Sequence, residues 1–197
     1  MSSRRVLILD LDGTLIPSLV EWDELRLRVS SMLKVPPGML KPLGERLLSM
    51  HLDDAMRRRI FKLIEEYELK AVDKLDSSKL MDRSRLLLDA RRRGFTVVVV
   101  SMRSSKTLKA ALERLGIQGL VDATISRDQA SSRKEQLLLV LSELRPRCAV
   151  FVGDSEGDEN AGKSVGVPTV IVECYRDLGR ILGEAYSICS ESSSPNT

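Results

Sequence analysis

The stretch VLILDLDGT, residues 6–14, decides the fold. Four apolar residues run directly into two carboxylates, Asp10 and Asp12, separated by one leucine and followed by a glycine and a threonine. An unbroken apolar run of this length reads as a strand covered on both faces rather than the alternating pattern of a half-buried one. Two acids at its end are electrostatically costly unless something there requires them. Four further runs rich in valine and isoleucine repeat the pattern: 95-FTVVVV-100, 123-ATI-125, 148-CAVFV-152 and 169-TVIV-172.

Between the later runs lie helical spacings. Residues 104–115 begin at Ser104 or Ser105, set Leu108, Ala111, Leu112 and Leu115 on one face and stop at Gly116. Residues 133–144 carry Leu137, Leu138, Leu141 and Leu144; a shorter helix ends at Val165 before Gly166; 175–185 shows Leu178, Ile181, Leu182 and Ala185. Strand–helix alternation predicts an α/β fold with a Rossmann-like parallel sheet and right-handed crossovers. The interval after the first run breaks that rhythm. Trp22, Leu25, Val29 and Met32 recur at helical spacing, as do Met56, Ile60, Leu63, Tyr67 and Ala71, with a turn at 35-VPPG-38 between them. A last helix, roughly 79–93, ends at Gly94 and leads into the second strand. The expected organisation is therefore a core of residues 1–16 and 78–189, an all-helical insertion over 17–77 with Trp22, Met32, Met39, Met50 and Met56 in its small core, and a disordered tail, 190-SESSSPNT-197.

Bulk properties narrow the class. With 197 residues, 43% of them apolar and 30% charged, the chain suits one soluble domain carrying an insertion. No apolar run approaches the length of a membrane span, and the N-terminus is not a secretory signal. The net charge is only +3, and the basic clusters 57-RRR-59 and 91-RRR-93 lack interleaved aromatics, so they read as solvated helix faces and not as a nucleic-acid surface. Three scattered cysteines, Cys148, Cys174 and Cys189, read as reduced core thiols of a cytoplasmic protein.

In an open parallel sheet, ligands gather beyond the carboxyl ends of the strands. Strand one ends in Asp10 and Asp12, strand two in Ser101, and strand four in 153-GDSEGDE-159 with Asp154 and Asp158; Lys134 opens the helix before strand four. Converging carboxylates call for a cation, and an all-oxygen set suits Mg²⁺, which shares its shell with phosphate. One aspartate can then attack phosphorus, giving an aspartyl-phosphate. A second, two residues on, can protonate the leaving oxygen and later deprotonate water. That role needs Asp12 protonated at the start, which nearby negative charge would favour. Gly13 allows close backbone approach, Thr14 can orient a carboxylate, Ser101 offers a hydroxyl to phosphate, and Lys134 a point charge.

DLDGT after a strand, a serine after strand two, a lysine and then GDSEGD together resemble the four-motif signature of the haloacid dehalogenase superfamily of phosphohydrolases. The resemblance runs from residue 5 to about 185, and the helical insertion is similar to the cap of that superfamily's phosphoglycolate phosphatase and phosphomutase branch. It implies Asp10 as nucleophile and metal ligand, and Asp12 as general acid/base with its carbonyl on the metal. Thr14 would orient, Ser101 bind phosphate, Lys134 balance charge, Asp154 ligate the metal and Asp158 support it, with Glu156 and Glu159 as neighbouring alternatives. Two departures stand out. The lysine is often followed by proline, whereas here the run is 132-SRKEQ-136; Arg133 is the alternative, and the spacing to Asp154 favours Lys134. Asparagine is usual after the serine, whereas Met102 and Arg103 follow here, leaving the Met102 backbone amide as the second phosphate contact.

The implied activity is Mg²⁺-dependent hydrolysis of a small phosphorylated metabolite, phosphoglycolate or a sugar phosphate, beneath a closing cap. Packing within the cap is the favoured reading of Trp22, and a substrate-facing role for Trp22, Arg26 and Arg28 is the alternative. The alternative on the same motifs is a phosphomutase of the β-phosphoglucomutase kind. A non-enzymatic receiver domain carries its acceptor aspartate at the third strand, where this chain has 126-SRDQ-129. Asp12 itself argues against dehalogenases, which lack an acid there.

Overall fold

The computed structural model describes residues 4–191. The five apolar runs form five parallel strands, β1 (Arg5–Asp10), β2 (Phe95–Val100), β3 (Ala123–Ile125), β4 (Cys148–Gly153) and β5 (Thr169–Ile171), in the order β3-β2-β1-β4-β5. The chain builds outward from β1 through β2 to β3, then returns to place β4 on the other side of β1. That reversal opens a crevice between β1 and β4, the usual ligand position in such sheets.

Both faces of the sheet are covered, which is why its strands are apolar without alternation. Leu7 and Leu9, with Val97, Val99, Val150 and Val152, pack under α4 (Asp82–Arg92), α5 (Ser105–Arg114) and α8 (Leu178–Glu191). Val6 and Ile8, with Val98, Val100 and Phe151, pack under α6 (Arg133–Leu144) and α7 (Glu156–Val165). Each such side chain contributes roughly 1.5–3 kcal/mol by leaving water. Strand parity thus directs Asp10 to the side occupied by α6 and α7.

Residues between β1 and β2 form α1 (Trp22–Leu33), α2 (Leu43–Ser49) and α3 (Asp54–Asp73) ahead of α4. These helices share an apolar cluster of their own, including Leu25, Val29, Leu47, Ile60, Ile64 and Tyr67, with Trp22, Met32, Met50 and Met56 packed partly buried against it. Met39, expected in that cluster, is exposed on a one-turn 3₁₀ segment (Pro37–Leu40). The two proline-flanked elements, this segment and α2, are too short to show helical periodicity in sequence.

Two further expectations need correction. Residues 190 and 191 are the last of α8, so the tail does not begin at 190; residues 192–197 lie outside the described residues. Cys148 and Cys189 form a disulfide, leaving Cys174 as the free thiol, so the cytoplasmic assignment loses the reduced cysteines on which it rested. The pair is 41 positions apart and meets because α8 lies along β4, with Cys189 on the same buried face as Ile181, Leu182 and Ala185. Reduction is expected to lower unfolding stability by about 2–4 kcal/mol, since the bond closes a long loop of the unfolded chain. Denaturant melts with and without reductant measure this; three titratable thiols in the unreduced protein would refute the pairing.

Candidate active site

Asp10 ends β1 4% exposed. Its Oδ1 accepts from Nη2 of Arg133, the first residue of α6. Arg133 also donates from Nε to Asp158 Oδ1 at 2.8 Å and from Nη1 to Gln136 Oε1 at 2.7 Å. Gln136 in turn donates to the Ser101 carbonyl at 2.8 Å, so one buried amide ties the arginine to the end of β2. Ser132 caps α6, accepting from the Glu135 amide, and this fixes the helix phase.

Asp158 reaches the same place from α7. Its Oδ2 accepts from the Ser155 amide at 3.3 Å while the Ser155 side chain takes the Asp158 amide, a reciprocal capping box, and Ser155 Oγ donates to the same Oδ2 at 2.7 Å. Its other oxygen is the one on Arg133. Asp154 stands at the solvent rim, its carboxylate lying over Gly13: a Cβ at Gly13 would sit 1.8 Å from Asp154 Oδ2. Gly13 also has φ of +87°, so glycine is required there by both conformation and space.

Oxygens of Asp10, Asp154 and Asp158 lie within 4.8 Å of one another. Burial raises the Asp10 pKa well above the usual carboxylate range; Arg133 opposes this, and Asp158, Asp12 and Asp154 add to it. Desolvation, then the charge of Asp158, push Asp154 up to about 6. Asp154 makes no ion pair among the described residues. Three oxygen donors this close, with a single guanidinium among them, fit a hard divalent cation.

Asp12 is held differently. Its carboxylate accepts from Arg103 Nε and Nη2, both at 2.7 Å, a bidentate pair with a guanidinium that is 2% exposed. The motif's acids led us to expect negative surroundings, but the nearest charge is positive. Ser101 Oγ accepts from the Arg103 amide at 3.2 Å. Met102 turns its side chain toward α2, where its Cε would be 3.8 Å from a Cβ at Gly44, and its carbonyl accepts from Arg127 at 3.0 Å. Thr14 Oγ1 is buried without a hydrogen-bond partner among the described residues, so it does not hold a carboxylate here.

The structure does not bring Lys134 to these groups. It is exposed, one position beyond Arg133 and about 100° around the helix. Spacing to Asp154 favours Lys134, but the phase of α6 decides for Arg133. Leu138 is 46% exposed, whereas Leu137 and Val140 are buried, so the inward face runs through Arg133, Gln136, Leu137 and Val140. Gln136, Arg103, Glu68 and Arg127 were also missed; a polar residue recurring in phase with Leu137 was the available signal for Gln136.

A family model described as haloacid dehalogenase-like hydrolase matches residues 7–172. A phosphoglycolate phosphatase of Aquifex aeolicus (strain VF5) is 28% identical over 183 residues, covering 85% of this chain and 84% of that protein. Among solved structures, a hydrolase from Pseudomonas syringae aligns with a TM-score of 0.64 at 17% identity, over 89% of this chain and 90% of its own. A haloacid dehalogenase-like family hydrolase from Streptococcus pneumoniae aligns at 0.61 and 16%, over 92% of each. At such identities the structural likeness carries the fold alone. The family match runs from within β1 to just past β5, through every strand end that supplies a site residue, and the chain belongs to the haloacid dehalogenase-like hydrolases.

Proposed function

We propose that the protein is a Mg²⁺-dependent phosphatase acting on a small phosphate monoester through an aspartyl-phosphate on Asp10. The observation that carries this reading is the meeting of Asp10, Asp154 and Asp158 within 4.8 Å at the β1–β4 crevice, with Arg133 bonded to Asp10. Those three acids, with the Asp12 carbonyl that the family resemblance adds, would hold the ion. When bound it neutralises the carboxylates and the incoming phosphate dianion. Arg133 and the Gln136 behind it keep the Asp10 carboxylate aimed. Asp12 is ion-paired with Arg103 in the free protein, so it must first take up a proton from the incoming phosphate monoanion or solvent. A carboxylate oxygen of Asp10 attacks phosphorus while the bond to the leaving oxygen breaks, and Asp12 gives that oxygen the proton. Asp12 then takes a proton from water, whose oxygen attacks the aspartyl-phosphate, releasing phosphate and restoring Asp10. Ser101, the Met102 amide and Thr14 are the candidate phosphate contacts, and helices α1–α3 (residues 17–77) the candidate cap over the leaving group.

A panel of monoesters, including phosphoglycolate and sugar phosphates, assayed with and without Mg²⁺, tests this. We expect phosphate release only with the metal. The pH dependence follows from Asp154. Its pKa is raised by folding, so its proton stabilises the free protein at low pH, and that contribution is lost as pH rises through about 6. The same proton must leave before Asp154 can take a cation. The Mg²⁺ concentration for half-maximal rate is therefore expected to climb below about pH 6. Metal-independent turnover across the panel would overturn the reading.

A further inference from the structure

We infer that Arg103 is a positioning residue for Asp12 and that its bond to the Glu68 carbonyl couples the orientation of Asp12 to helix α3. The inference rests on the acid/base reading of Asp12 above. All three guanidinium nitrogens of Arg103 are committed: Nε and Nη2 to the two oxygens of Asp12, and Nη1 to the Glu68 backbone carbonyl at 3.0 Å. A fork of two parallel bonds fixes the plane of a carboxylate as well as its place, which a single lysine ammonium does not. The orientation of Asp12 is thus set by a side chain whose own position is set by the backbone of α3.

Helix α3 is anchored at that same residue. The Glu68 side chain is fully buried, accepting from Thr107 Oγ1 at 2.6 Å, from the Ser104 amide at 3.3 Å and from Arg127. Arg127 also holds the Met102 carbonyl, next to Ser101. Two acids and two arginines therefore form one closed set running from the loop after β1 to the insertion, then back to the loops after β2 and β3. Buried pairs of this kind do not tolerate partial separation, because a lone buried charge is costly. A displacement of α3 that takes the Glu68 carbonyl from Arg103 also disturbs the fork on Asp12. Whatever occupies the space beneath α1–α3 can in this way report to the acid/base group without touching it.

The test is a mutant cycle with p-nitrophenyl phosphate and Mg²⁺, reading kcat and KM separately. Arg103→Met is expected to lower kcat by ~10–100-fold with KM within about twofold, the scale of a misplaced reacting group. In an Asp12→Asn background the same substitution is expected to cost less than about threefold, because the residue it positions is already disabled. Arg103→Lys, which keeps the buried charge and loses the fork, is expected to show the same kcat-selective loss, and it carries the test if the methionine variant does not fold. Glu68→Gln is expected to lower kcat by ~3–10-fold alone and to add nothing in an Arg103→Met background. Equal losses for Arg103→Met in both Asp12 backgrounds, or a loss confined to KM, would overturn the positioning role and leave the acid/base reading standing. Additive losses from Glu68→Gln and Arg103→Met would overturn the link to α3. Wild-type kcat in Asp12→Asn would sink the acid/base reading, and this inference with it.

Discussion

Asp10→Asn is expected to reduce phosphate release by more than ~10⁴-fold, the scale seen when an enzyme loses its nucleophile. The amide keeps the shape of the side chain but cannot form the acyl phosphate. The fold is expected to survive. Asp10 is buried beside Asp154 and Asp158, and burial already works against its charge, so replacing a carboxylate by a neutral group relieves the crowding while Arg133 retains Asp158 and Gln136. Thermal melting of the metal-free variant is therefore expected at or above the wild-type temperature. The stabilisation conferred by Mg²⁺ is expected to shrink, because one of three donors has lost its charge. Turnover within a hundredfold of wild type would remove Asp10 from its role.

The second large effect separates two adjacent residues. Arg133→Met is expected to lower kcat by ~10²–10³-fold, the usual cost of deleting a preorganised charge from such a site, whereas Lys134→Ala is expected to stay within about twofold of wild type. Arg133 also stands between two buried acids, and its removal leaves Asp10 and Asp158 facing each other unpaired. We accordingly expect the metal-free Arg133→Met protein to lose about 3–5 kcal/mol of stability, and Mg²⁺ to restore part of it. Comparing melts of the two variants with and without metal reads this directly. A large loss of activity in Lys134→Ala with Arg133→Met near wild type would return the role to the lysine.

The pattern of apolar runs carried most of the fold. A strand packed on both faces must be apolar throughout, and a helix must repeat its buried positions every three or four residues. Both constraints are local, so VLIL, FTVVVV and CAVFV and the leucine spacings of α5 and α8 could be read directly. The acids of DLDGT and GDSEGD were legible because carboxylates converging at the ends of buried strands are costly unless a cation meets them. Less legible were the elements lacking a period, α2 and the neighbouring 3₁₀ turn, which are too short to repeat.

What escaped the sequence was every choice between neighbours in space. Arg133 and Lys134 differ by one helical position, and only the packing of Leu137 and Val140 against the sheet shows which of them points at Asp10. Arg103 only followed Met102, which stands where asparagine is usual; its bond to Asp12 depends on residues 91 positions apart. Cys148 and Cys189 gave no spacing signal because their meeting depends on how α8 lies along β4. Local sequence thus determined the strands and the longer helices, and which acids end the strands, since those follow from burial and backbone geometry along a few residues. Tertiary structure decided which cation meets which acid. A buried charge is stabilised only by a partner within a few ångströms, and that distance is set by packing rather than by position in the chain.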